Sequence, residues 1–157
     1  MKRIFTAALA ASLLLGASAL AAEPAGQTVA RGGDIPSVSA GTEHFTGRVR
    51  MENLFSPQGD FKAYGARVAF EPGARTHWHI HPAGQVLIVT DGAGYTQEWG
   101  GPLTALRPGD VVWCPPGVKH WHGAGPKTAM THIAISQRDA APMTWLEPVD
   151  GGQYPQD

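Results

Sequence analysis

Three imidazoles and one amide in this chain are spaced as a metal site would need them. His79 and His81 stand at i and i+2, so on a strand both rings point to one face. Gln85 follows just past the Pro82-Ala83-Gly84 bend, from where its side-chain oxygen can fold back toward them. His120, at the end of Pro115-Pro116-Gly117-Val118-Lys119-His120, brings a third imidazole from a distant segment and would close the set. A divalent metal held only by neutral ligands keeps its full charge and is a strong Lewis acid.

The chain has seven histidines: His44, His77, His79, His81, His120, His122 and His132. Six of them fall in three segments. His77 shares parity with His79 and His81, and His122 shares parity with His120. Buried rings in such numbers each require a polar partner, and one metal serves several. His77 could reach the same interior or sit at its mouth. His44 is expected at the surface or at an interface. Trp78 and Trp121 alternate with the histidines and should face the other way, packing between sheets or subunits, and Trp113 could pack likewise. Arg75 and Lys119 are expected as solvated ends.

These residues need strands to carry them, and the chain supplies short β-like runs separated by turn signals. The runs lie near 45–51, 64–70, 76–80, 85–90, 95–98, 111–114, 120–123 and 128–135. Pro57-Gln58-Gly59-Asp60, Glu71-Pro72-Gly73, Asp91-Gly92-Ala93-Gly94, Gly100-Gly101-Pro102 and Arg107-Pro108-Gly109-Asp110 separate several of them. Short strands at this spacing predict an all-β sandwich or barrel. No helical period reaches a useful length. Residues 143–147 fit a short strand or a turn, and the end, 151–157, looks frayed.

The start of the chain reads as an export signal. Lys2 and Arg3 precede an apolar run over 4–15, and Ala19-Leu20-Ala21 offers an A-x-A cleavage site. The alternative is an uncleaved membrane anchor, for which the apolar run is short. Cleavage after Ala21 removes two basic residues and moves the formal charge from −1 to −3. Without a basic cluster, nucleic acid is not the expected partner. After cleavage no membrane association is expected, and the location is secreted, in the periplasm. Residues 22–41, rich in Ala, Gly, Pro and Ser, read as a flexible leader. Cys114 is the only cysteine. It excludes an internal disulfide and reads as a small buried hydrophobe, so stability must come from a core.

Two longer patterns resemble the cupins. The first runs from Gly73 through His79-Ile80-His81 and Gln85 to Gly92, and the second from Gly109 through Pro115-Pro116-Gly117 to His120. The match covers about residues 62–136. It departs at Gln85, where most metal cupins have Glu, and at Ala124, where the second motif often ends in Asn. The resemblance implies a single all-β, double-stranded jelly-roll barrel over 42–148, followed by a tail over 149–157. It implies His79, His81, Gln85 and His120 as metal ligands on a metal that prefers five or six, such as Mn(II) or Fe(II), with Zn(II) and Ni(II) also possible. It suggests a homodimer or homotetramer.

The stretches 73–76, 79–85, 109–113, 119–124 and 129–132 resemble more narrowly the small bacterial manganese cupins, some of which are (R)-selective hydroxynitrile lyases. That resemblance implies cleavage of a small-molecule cyanohydrin such as mandelonitrile to aldehyde and cyanide, through Lewis-acid activation of its hydroxyl. His122 and His132 would then move protons. An amide at Gln85 favours a polarising metal over chemistry that needs a ligand carboxylate as base. Two other readings remain open: a cupin-type mononuclear dioxygenase or oxidase, and a non-catalytic cupin that binds a small ligand. Ala66, Val68, Val86, Ile88 and Ser136 are expected to line the interior.

Overall fold

Alternation between Gly/Pro turns produces the strands and decides which way each side chain faces. The computed structural model describes residues 26–138 and 141–156, so the expected signal peptide lies outside the described residues. In chain order the strands are β1 (Val38–Ser39), β2 (Phe45–Thr46), β3 (Val49–Phe55), β4 (Ala63–Phe70), β5 (Arg75–Thr76), β6 (His79–Ile80), β7 (Gln85–Gly92), β8 (Gly94–Glu98), β9 (Thr104–Leu106), β10 (Val111–Cys114), β11 (Lys119–Ala124), β12 (Met130–Gln137) and β13 (Thr144–Trp145). One sheet has the order β1-β3-β4-β12-β7-β10. The other has the order β13-β6-β11-β5-β2, with β8 paired to β11 and β9 to β8. All the ladders are antiparallel. Two such sheets facing each other form the expected double-sheet jelly roll.

The interior is built by alternate residues. Ala66, Val68 and Phe70 of β4 are buried, as are Leu87 and Val89 of β7. Gln85 faces inward, so its strand buries 85, 87 and 89. Val86 and Ile88 therefore lie on the opposite face and are only half-buried, which corrects the expectation that they line the interior. The expected 76–80 strand is also broken. β5 and β6 are two residues each, and between them Trp78 donates to Glu147 O and accepts from Leu146 N–H. His77 and His79 consequently do not sit on one regular strand.

Both ends of the chain do more than expected. β1, inside the expected leader, pairs with β3 through Val38↔Met51 and Ser39↔Arg50. The tail is docked rather than frayed. Val149 and Tyr154 are buried with Trp78 and Trp121 in a second apolar cluster, and the Tyr154 hydroxyl donates to Ala124 O at 2.8 Å. The two tryptophans thus face away from the histidines, as parity requires, and the chain's own C-terminus covers them. Arg75 is not a solvated end. It lies 4.2 Å from the Tyr154 ring centroid and donates to Val149 O at 3.1 Å. Lys119 pairs with Glu147 and sits over the Trp99 ring. Trp113 is not packed between the sheets: its ring lies over Gly84 and is 57% exposed. Truncation after Pro148 should remove two buried side chains, cost about 3–5 kcal/mol in a urea unfolding curve, and expose Trp78 and Trp121 to quenchers.

Candidate metal centre

β6 and β11 carry His79 and His120 as direct cross-strand partners, and their ring centroids are 4.3 Å apart. His81, in the turn after β6, lies 5.2 Å from His79 and 5.8 Å from His120 by ring centroid. Gln85 enters from the other sheet and places Oε1 3.1 Å from His120 Nε2. All four are buried and neighbour one another. The ligand atoms that all lie within 4.8 Å of one another, however, are those of His79, His120 and His122, a set that takes in His122 and leaves out His81.

The backbone sets which nitrogen each ring offers. His79 Nδ1 contacts His77 O at 3.0 Å, and His120 Nδ1 contacts Val118 O at 3.0 Å. A carbonyl only accepts, so each Nδ1 carries the proton and each Nε2 is left with a lone pair. This is the outer partnership that orients imidazole ligands in metal sites. His77 therefore contributes its carbonyl, and its half-buried ring stays outside the cluster. Burial pushes the affinities of these rings for protons down. His79 is well below the ordinary imidazole value, from burial first and then from His120. His81 falls to about 4, for the same two causes in the same order. Burial also lowers His120.

These observations fit a divalent cation. The rings are neutral, as metal ligands must be. His81 Nε2 is buried with no hydrogen-bond partner. In the assigned amide orientation, a Gln85 oxygen and the lone pair of His120 Nε2 face each other at 3.1 Å, an arrangement that a shared cation relieves. His79, His81, Gln85 and His120 would hold the ion, and a metal there would polarise an oxygen of a bound molecule.

His122 and His132 form a second unit at the wall of this cluster. His132 Nε2 lies 3.0 Å from His122 Nδ1, and the bond joins β11 of one sheet to β12 of the other. His132 faces inward by alternation with buried Met130 on β12, and the β12–β7 ladder has a bulge beside it that skips Thr90 of β7. Phe70 packs on both rings. Burial, then His132, holds His122 well below the ordinary imidazole value, and burial brings His132 to about 4. His122 Nε2 and His132 Nδ1 have no hydrogen-bond partner.

A cavity of about 100 Å³ opens beside these rings, lined by His79, His81, Gln85, His122, Phe45 and Trp145 among others. Ala66, Val68 and Ser136 line it as parity suggested. Sequence reasoning missed Phe45, Met51, Met143 and Trp145, which carry no motif and reach the cavity only through the fold. His44 stacks on Trp145 at 4.5 Å. Cys114 lies directly across the ladder from Gln85. Burial, with a smaller push from Glu98, raises its thiol to about 12, so the native protein should react with a thiol reagent only after unfolding.

The buried neutral histidines also set an acid limit. In the unfolded chain His132 takes a proton near 6.5, but in the fold only near 4. Its contribution is complete above about 6.5 and is lost as pH falls toward 4, because the unfolded state binds the proton first. His132 alone should account for on the order of 3 kcal/mol of that loss in the metal-free protein, read as a falling urea midpoint between neutral and mildly acidic buffer.

A protein from Granulicella tundricola described as (R)-mandelonitrile lyase is 50% identical over 127 residues, which cover 80% of this chain and 97% of that protein. The cupin domain model matches residues 66–136. The chain is a cupin. A cupin-like protein from Thermotoga maritima is 47% identical and superposes with a TM-score of 0.71, over 74% of this cupin and 89% of that chain. The polyketide cyclase RemF from Streptomyces resistomycificus superposes with a TM-score of 0.66 at 16% identity, covering 76% and 85% of the two chains. At that identity the likeness is one of fold alone.

Proposed function

We propose that this cupin is an exported, metal-dependent hydroxynitrile lyase that cleaves cyanohydrins of the mandelonitrile type to aldehyde and cyanide. The observation that carries the reading is the buried donor cluster of His79, His81, Gln85 and His120, beside a free imidazole nitrogen of His122. The half-identical lyase relative supports it. The metal, Mn(II) as the first choice with Fe(II) or Zn(II) as alternatives, supplies Lewis acidity that makes a bound hydroxyl more acidic.

The chain's own residues do the rest. In the tautomer whose Nδ1–H donates to His132 Nε2, 3.0 Å away, His122 offers its Nε2 lone pair to the substrate hydroxyl. Burial makes this ring a weak base, so it accepts a proton only from an acidified hydroxyl. For the same reason its conjugate acid is strong. As the carbon–carbon bond breaks, the oxygen's electrons form the aldehyde carbonyl and the bonding pair leaves on cyanide. His122 then returns the proton to cyanide, and hydrogen cyanide and the aldehyde are released. His132 holds the tautomer and spreads the transient positive charge. Phe45, Phe70 and Trp145 keep the neighbourhood apolar, which strengthens each polar contact.

Purified protein should release benzaldehyde and cyanide from mandelonitrile, and chelation followed by Mn(II) should remove and restore that release. Release at the uncatalysed rate with metal bound would refute the lyase reading. Gln85→Glu should retain metal but lower kcat by about tenfold, because the carboxylate cancels one unit of the ion's charge. Metal content and initial rate on one sample measure both. We further propose periplasmic action as a homodimer or homotetramer. Val111 and Trp113, exposed on edge strand β10, support an apolar contact between copies, which sedimentation would detect.

A further inference from the structure

The cavity beside the histidines has a neighbour. A second space of about 220 Å³ lies toward the surface, lined by Gln137, Arg138, Pro82, Ala141 and Pro142. Three residues line both spaces: Tyr64, His81 and Met143. They form the partition between an inner chamber and an outer vestibule. Volume decides what each can hold. An engineered apolar cavity of roughly 150 Å³ accepts benzene, whereas the inner chamber is about 100 Å³. It has room for a hydroxyl carbon and its nitrile beside the imidazoles, but not for a phenyl ring as well.

We infer that Met143 is a specificity-determining residue of this site: the substrate's side group passes the Tyr64–Met143 partition and rests in the outer vestibule. The inference deepens the lyase reading and rests on it for the identity of the reacting end. Met143 suits the task. An unbranched thioether with three rotatable bonds changes shape at little cost, whereas the Tyr64 ring and His81 are stiffer. It also stands outside the 66–136 stretch that the cupin domain model matches. The site's chemistry thus sits within the common domain, and its size limit sits on the segment that follows it. Substrates with an aliphatic group of one or two carbons fit the chamber alone. Substrates with a planar ring require the partition to open.

The test compares Met143→Trp, which narrows the partition, with Met143→Ala, which widens it. Met143→Trp should raise KM for mandelonitrile about tenfold more than it raises KM for acetone cyanohydrin. Met143→Ala should leave both substrates at or below the wild-type KM. Equal effects on the two substrates, or none on either, would overturn the inference. A second readout is independent of turnover. The protein loaded with Zn(II), which leaves NMR lines sharp, is titrated with benzyl alcohol while the Met51 and Met143 methyl signals are followed. A shift at Met143 supports the vestibule. A shift at Met51 alone, or at neither, overturns it. If neither cyanohydrin turns over but Met143 shifts, the lyase reading falls and the ring site stands.

Discussion

His120→Ala is expected to strip the protein of bound metal. Its Nε2 lies 3.1 Å from Gln85 Oε1, its ring centroid is 4.3 Å from His79, and its Nδ1 is fixed by Val118 O. β11 is paired on both edges, by β6 and by β8, which holds its backbone in place. Affinity should fall on the order of 10³-fold, equivalent to ~4 kcal/mol. Elemental analysis after gel filtration would show metal content near that of chelated protein, and cyanide release should fall with it. His77→Ala is the matched control. Only the carbonyl of His77 touches the cluster, and any residue supplies a carbonyl. Full metal content in His120→Ala would remove this residue from the ligand set. The metal-free variant should still fold, since His120 contributes little to the apolar clusters.

Gly123→Ala is expected to act through the backbone. A Cβ at this position would lie 2.5 Å from Arg75 Cα and 2.6 Å from Ala74 O. Neither atom belongs to a flexible side chain, so β5 and β11 would have to part. On the other edge of β11, a Cβ at Gly94 would meet Gly123 O at 2.1 Å, which leaves no slack in that direction. The strain should cost about 3 kcal/mol, at the upper end of ordinary overpacking, and shows as a lower unfolding midpoint. Gly123 adjoins His122, so the displaced strand also moves that ring relative to His132. A folded Gly123→Ala protein should therefore keep metal yet lose activity, and lowering the temperature to restore stability should not restore the rate.

The parts of this protein that follow local rules are readable from its sequence. Alternation and turn chemistry locate β4, β7, β8, β10 and β12, and the parity of Trp78 and Trp121 against the histidines is correct. β9 escapes such reading because Thr104–Leu106 is three residues long and follows Gly100-Gly101-Pro102, where turn signals dominate. The Val86 and Ile88 assignment fails for an instructive reason. Parity alone leaves open which set of alternate residues faces inward, and the single polar residue Gln85 sets the register of the whole strand. The tail fails because nothing near Tyr154 in sequence tells that the outer face of the second sheet carries two large indoles in need of cover. The histidine cluster is legible because its motif residues are close in sequence within each half. The Met143–Trp145 wall is not, because it is joined to the site only by tertiary contact.

Gln85 and His132 have a second role that follows from where they start. His79, His120 and His122 belong to one sheet, whereas Gln85 and His132 belong to the other. The polar contacts at the centre are therefore seams between the two halves of the sandwich, set among apolar side chains that slide easily over one another. An ion held across that seam acts as a rivet. Binding it and closing the sandwich become one equilibrium, so each tenfold rise in free metal above the dissociation constant adds about 1.4 kcal/mol to the fold. On this account the chain would be sturdiest where metal is plentiful, and scarcity would reach it first as loosened architecture.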